Sequence, residues 1–198
     1  KQILEEEIQT QVIVENDANC SAWAEHQIGA GVGIGNLLVV SFGTGIGAGL
    51  ILGGSIFRGS YGLAGEVGHM TIEQSGRPCP CGNYGCWEQY SSGAELNNLI
   101  LNSDTKAVSF ERTLNEFGEK VAIGFRNLSH ILDPEMIILT GGITSIGDPL
   151  LNAIQQAYYR KVGHRDNGKL TQIKIGRFGK EAGALGAALM ASVQERIY

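Results

Sequence analysis

The chain has 198 residues, 43% of them hydrophobic, and a formal net charge of −5. That length supports one large domain or two small ones, with a real core, while scattered Lys and Arg in a mildly acidic chain argue against a nucleic-acid surface within these residues. No run approaches eighteen consecutive apolar residues and no basic leader precedes an apolar stretch, so the expectation is a soluble, cytoplasmic protein with no membrane partner.

KQILEEEIQT mixes apolar and charged residues as the end of a helix does, and VIVEN reads as a short buried strand. Asn16 to Gly29 reads as a helix with Asn16 or Asp17 at its N-terminus, since both residue types cap helices well. LLVVSFGTGIGAGLILGGSIFRG is a β-hairpin pair, turning at GTGIG and again at Gly53-Gly54. Helices are expected from Ser92 to Leu101 and from Phe110 to Leu132, where Phe117, Val121, Phe125 and Leu128 recur at helical spacing. MIILTGG is a buried strand ending in two glycines. Pro149 to Tyr159 is a helix, QIKIGRF a strand, and Ala182 to Ile197 a closing helix rich in small residues. Strands alternating with helices predict an α/β layered domain, and without a repeat or a low-complexity linker residues 1–198 form one unit.

Three constellations carry candidate chemistry. Cys79, Cys81 and Cys86 have C-x-C-x4-C spacing, and three thiols leave one unpaired in any disulfide scheme. Zinc takes four soft or borderline ligands in a tetrahedron, and His69, ten positions upstream, supplies the fourth. Cys20, in mid-helix, reads as a small buried hydrophobe. A site of three thiolates and one imidazole leaves no position for water, so the expected zinc is structural. The second constellation is ENDAN, Glu15 to Asn19: Asp17 is either an N-cap or a general base at the strand ends where open α/β sheets collect ligands. The third is SFGTGIGAG, Ser41 to Gly49, together with LTGG, Leu139 to Gly142, whose backbone N–H groups and Thr44 hydroxyl can approach a phosphate. It is neither a Walker loop nor a dinucleotide fingerprint. The 29 glycines exceed a usual share of about 7%, and sharp turns near a ligand are one cause.

Six segments in this order resemble the ROK family of sugar kinases and sugar-responsive repressors. They are ENDANCSAWAE, SFGTGIGAGLI, GEVGHM, CPCGNYGCWEQYSSG, DPEMIILTGGI and GKEAGALGAA. The resemblance implies the actin-like, hexokinase-like (ribonuclease H-like) ATPase fold, of which this chain is the second, larger lobe with a zinc-binding loop. It implies that Asp17 accepts the proton of a hexose hydroxyl attacking the γ-phosphate of ATP, and that Asn16, Asp17, Glu66, His69 and Glu88 bind the sugar. Gly43, Thr44 and Gly45 would face the nucleotide phosphates, Gly141 and Gly142 the adenosine, and Mg²⁺ would accompany the ATP. His69 would serve both zinc and sugar. The family's first lobe, with its Asp-x-Gly-Gly-Thr turn, has no counterpart among the 198 residues, so the chain alone is expected to phosphorylate no sugar. The segments resemble bacterial glucokinases more than repressors. In the repressor alternative this would be a sugar-sensing domain, and DNA would be bound only by an N-terminal domain outside the chain. A homodimer is the expected assembly.

Overall fold

The computed structural model describes residues 1–102, 107–163 and 169–194. Its five strands are β1 (Leu37–Phe42), β2 (Ile46–Leu52), β3 (Ser55–Ile56), β4 (Met136–Gly141) and β5 (Gln172–Ile175), in the spatial order β3-β2-β1-β4-β5. The first three form the expected antiparallel meander, with Phe42 opposite Ile46 and Ile51 opposite Ile56. β1, β4 and β5 run parallel, Phe42 pairing with Gly141 and Leu139 with Ile175. A sheet covered on both faces buries every side chain of its central strands, which is why LLVV and MIIL are unbroken apolar runs rather than alternations.

Seven α-helices accompany the sheet among the described residues: α1 (Gln2–Ile8), α2 (Asp17–Ile28), α3 (Glu88–Ser91), α4 (Gly93–Leu101), α5 (Ala107–Leu132), α6 (Asp148–Val162) and α7 (Ala182–Gln194). Leu38, Val40, Phe42, Ile137, Leu139 and Ile173 point to one face and join Phe117, Val121, Phe125 and Leu128 of α5 and Ile154 of α6 in the main core. Leu37, Val39, Ile51, Met136 and Ile138 point the other way, onto Ala22 of α2. The period of two along each strand therefore sorts residues between two cores. α7 lies on α2 so closely that a Cβ at Gly186 would sit 1.7 Å from the Cys20 carbonyl oxygen. The small-residue closing helix thus packs within its own domain, and Cys20 is buried beneath it.

VIVEN is not a strand. A strand needs a ladder partner, and none of the five described strands pairs with residues 12–16; Val14 is 70% exposed. QIKIGRF ends its ladder at Ile175, after which Glu25 takes over the backbone. Its Oε1 accepts the Phe178 N–H at 3.1 Å, and its Oε2 accepts the Ala30 N–H at 2.9 Å. Of the two glycines closing MIILTGG, Gly141 ends β4 and Gly142 begins a 3₁₀ turn, Gly142–Ile146. Residues 195–197 of the expected closing helix lie outside the described residues.

Candidate functional site

The carboxyl ends of β1 and β4 and the start of β2 share one sheet edge, the place where open α/β sheets bind ligands. The turn Gly43–Gly45 caps it, closed by a Gly43 N–H donated to the Gly45 carbonyl at 3.1 Å. Ala94, in the first turn of α4, donates its N–H to the Gly43 carbonyl at 3.1 Å, and Ser92 caps α4 through Oγ accepting from the Glu95 N–H. Gly141 has φ of +93° beside the Phe42 backbone, where a side chain would be strained and would collide. The glycine turn, the head of α4 and the Gly142–Ile146 turn enclose a cavity of about 480 Å³, lined in part by Gly43, Thr44, Ala94, Asn97, Gly142 and Ser145. The two glycine-rich segments noted in the sequence thus share one cavity, and α4 adds a wall the motifs did not announce.

At the head of α2 the structure settles which residue of ENDAN is the N-cap. Asn16 is the N-cap: its Oδ1 accepts the N–H groups of Ala18 at 2.9 Å and Asn19 at 3.2 Å. Asp17 is therefore the first helical residue, exposed, with Oδ1 accepting the N–H of Ala18 at 2.9 Å. Ala18 rests on Gly47 of β2, two residues past the glycine turn. Glu15 supports this corner. It accepts from Asn19 Nδ2 at 2.9 Å and from Arg58 Nε at 2.7 Å. Burial works against the charge of Glu15, but hydrogen bonds from Asn19, the Asn16 backbone and Arg58 outweigh it and hold its carboxyl below the usual range. Arg58 was not legible as a partner, because 43 residues separate it from Glu15.

Glu66 and His69 flank a 3₁₀ turn, Val67–His69, pinned to β2 by the Ala48 N–H donated to the Gly65 carbonyl at 3.0 Å. His69 Nε2 lies 4.0 Å from Glu66 Oε2, while its Nδ1 turns the other way, 3.6 Å from Cys79 Sγ and 3.6 Å from Glu88 Oε1. The ligand atoms of His69, Cys79, Cys81 and Cys86 all lie within 4.8 Å of one another. Cys81 Sγ is 3.6 Å from Cys86 Sγ. Tetrahedral coordination at a metal–sulfur distance of about 2.3 Å puts neighbouring sulfurs about 3.7 Å apart, so the donor set fits a tetrahedral thiophilic ion. Burial raises the thiol pKa of Cys79 and pushes that of Cys86 up to about 12, neighbouring sulfurs adding to the latter, whereas the Asn83 backbone draws Cys81 down. A divalent cation reverses this by displacing the protons. The loop is held from outside as well: Arg77 Nη1 donates to Glu95 Oε1 at 2.6 Å and to the Gln89 carbonyl. Trp87, between Cys86 and Glu88, is fully buried, an anchor that residue type alone did not reveal.

Fold and site together define a small-molecule-binding α/β domain with a cysteine-braced loop beside its ligand edge. The chain belongs to the ROK family, whose model matches residues 1–194. The glucokinase of Streptomyces coelicolor is 31% identical, the match covering 96% of this chain and 70% of that protein. The xylose repressor of Bacillus spizizenii is 34% identical, over 94% of this chain and 52% of the repressor. The crystal structure of a ROK family glucokinase from Streptomyces griseus in complex with glucose and AMPPNP superposes with a TM-score of 0.85 at 29% identity, covering 96% of this chain and 71% of that one.

Proposed function

We propose that the protein is a sugar kinase that transfers the γ-phosphoryl group of ATP to a hexose hydroxyl, with glucose the first substrate to test. The observation that carries this reading is the division of labour at α2. Asn16 takes the cap and leaves the Asp17 carboxylate exposed at the ligand edge. Asp17 accepts the hydroxyl proton as the sugar oxygen attacks the γ-phosphorus, and the bond from phosphorus to the β,γ-bridging oxygen breaks, releasing ADP. Asn16, Glu66, His69 and Glu88 hydrogen-bond the ring hydroxyls, which discriminates against analogues lacking one. Gly43, Thr44 and Gly45 receive the phosphates, with Mg²⁺ on the nucleotide, and Gly141 and Gly142 border the adenosine. In this reading residues 1–198 form one lobe of a two-lobed enzyme, and protomers pair as a homodimer. Among the described residues no helix is long and apolar enough to cross a membrane.

His69 Nδ1, Cys79, Cys81 and Cys86 would hold zinc, which when bound supplies rigidity to the loop. The side chains at both ends of that loop, His69 and Glu88, are then fixed for sugar. Metal analysis should find one zinc per chain, with X-ray absorption reporting three sulfurs and one nitrogen. Stripping the zinc should weaken glucose binding in calorimetry; an unchanged affinity would break the link between metal and sugar.

The deciding assay is phosphorylation across a panel of hexoses by the protein expressed from its complete gene, read by coupled ADP release. The identity to a xylose repressor supports a second reading, a sugar-sensing effector domain. That reading predicts sugar binding without turnover and sugar-dependent DNA binding by the complete gene product.

A further inference from the structure

The two glycines of the phosphate turn differ in what surrounds them. Neither has positive φ, so the backbone conformation does not demand glycine at either position. A Cβ built at Gly43 meets nothing within 4 Å, and Gly43 lines the cavity together with Gly142. A Cβ built at Gly45 would lie 2.6 Å from Glu88 Oε2 and 3.6 Å from its Cδ. The space beside Gly45 is therefore filled by the Glu88 carboxylate. The other carboxylate oxygen, Oε1, lies on the opposite side, accepting from Gln89 Nε2 at 3.3 Å, with Cys79 Sγ at 3.2 Å. Glu88 thus spans from the cysteine loop to the glycine turn with its side chain only 16% exposed.

We infer that Gly45, besides its place in the phosphate turn, is a positioning residue for Glu88 and serves sugar selection, whereas Gly43 has no such neighbour and serves the nucleotide. This rests on the reading that Glu88 binds the sugar. A methyl group at position 45 removes the room the carboxylate occupies, and Glu88 must retreat toward the cysteine loop. The displaced atoms are the end of a flexible side chain, so the fold tolerates the change while the hydrogen-bond geometry at the sugar does not.

The test is a double-mutant cycle read by calorimetry of glucose and AMPPNP binding and by steady-state kinetics, using the protein expressed from its complete gene. Gly45→Ala should weaken glucose binding about 10- to 100-fold, the range for a lost hydrogen bond to a charged group. Its glucose affinity should fall at least several-fold more than its nucleotide affinity, since position 45 also belongs to the phosphate turn, and its melting temperature should stay within about 2 °C. Gly43→Ala should show the opposite split. Because Gly45 acts through Glu88, adding Gly45→Ala to Glu88→Ala should cost no further glucose affinity. Full additivity of the two changes, or a Gly45→Ala loss falling mainly on the nucleotide, would overturn the inference and leave the kinase reading standing. Glu88→Ala with unchanged glucose affinity would instead overturn the sugar-binding role of Glu88, and this inference with it.

Discussion

Asp17→Asn should lower the kcat for sugar phosphorylation by about 10²–10⁴, the contribution of a positioned general base, while leaving glucose affinity and the melting temperature close to wild type. The substitution is nearly isosteric. Oδ1 of the amide can still accept the Ala18 N–H, as the carboxylate does at 2.9 Å. The helix head does not depend on residue 17, because Asn16 caps it. What is removed is the ability to take up a proton. The neighbouring change separates the roles: Asn16→Ala should cost about 1 kcal/mol of stability through the lost cap and weaken sugar binding by the loss of one hydrogen-bonding side chain. Rapid-quench measurement of the chemical step in both variants checks this. A rate for Asp17→Asn within a few-fold of wild type would show that some other group accepts the proton.

That separation illustrates what local sequence could and could not carry. Asn and Asp are comparable N-caps, so ENDAN offered two adjacent candidates and no local rule to rank them. The choice depends on which backbone N–H groups each side chain reaches. The Cys/His cluster was legible because three of its four members fall within eight residues and soft-ligand chemistry asks for a fourth. The hairpin was legible for a similar reason: glycines at 43, 45, 53 and 54 punctuate runs of β-forming residues. Long-range contacts left no such trace. Glu25, fully buried, joins the Ala30 turn to Phe178, 153 residues away, and ends the run at QIKI rather than QIKIGRF. VIVEN failed because apolar composition predicts burial only where a partner strand exists, and the sequence of the segment is silent about its neighbours. The glycine excess likewise had a second cause beyond ligand turns: at Gly186 and Gly49 helix α2 lies so close that a Cβ would collide.

Trp87→Ala should destabilise the protein by about 3–5 kcal/mol, the range for truncating a buried large aromatic residue. The indole is fully buried, with its ring edge-on to Phe42 at 6.1 Å and to Phe125 at 5.8 Å between centroids. It donates Nε1–H to the Lys120 carbonyl at 3.0 Å. It also lies against the backbone of α5, where a Cβ at Gly124 would come within 2.2 Å of the ring, so no other side chain can close the cavity from that side. The consequence reaches the site, because residue 87 stands between Cys86, a proposed metal ligand, and Glu88, a proposed sugar ligand. An empty pocket beneath them frees both, and a loop that is less often in its binding geometry binds metal more weakly in proportion. Zinc affinity and glucose affinity should therefore fall together in Trp87→Ala, whereas Trp87→Phe, which keeps the ring packing and loses the N–H, should retain most of both. Denaturant unfolding at fixed free zinc measures the stability, since a ligand bound only to the folded state adds to it by mass action. A loss of about 1 kcal/mol or less, or zinc affinity unchanged in the folded variant, would mean that the loop holds its shape without the tryptophan and that the metal, not the core, sets the position of Glu88.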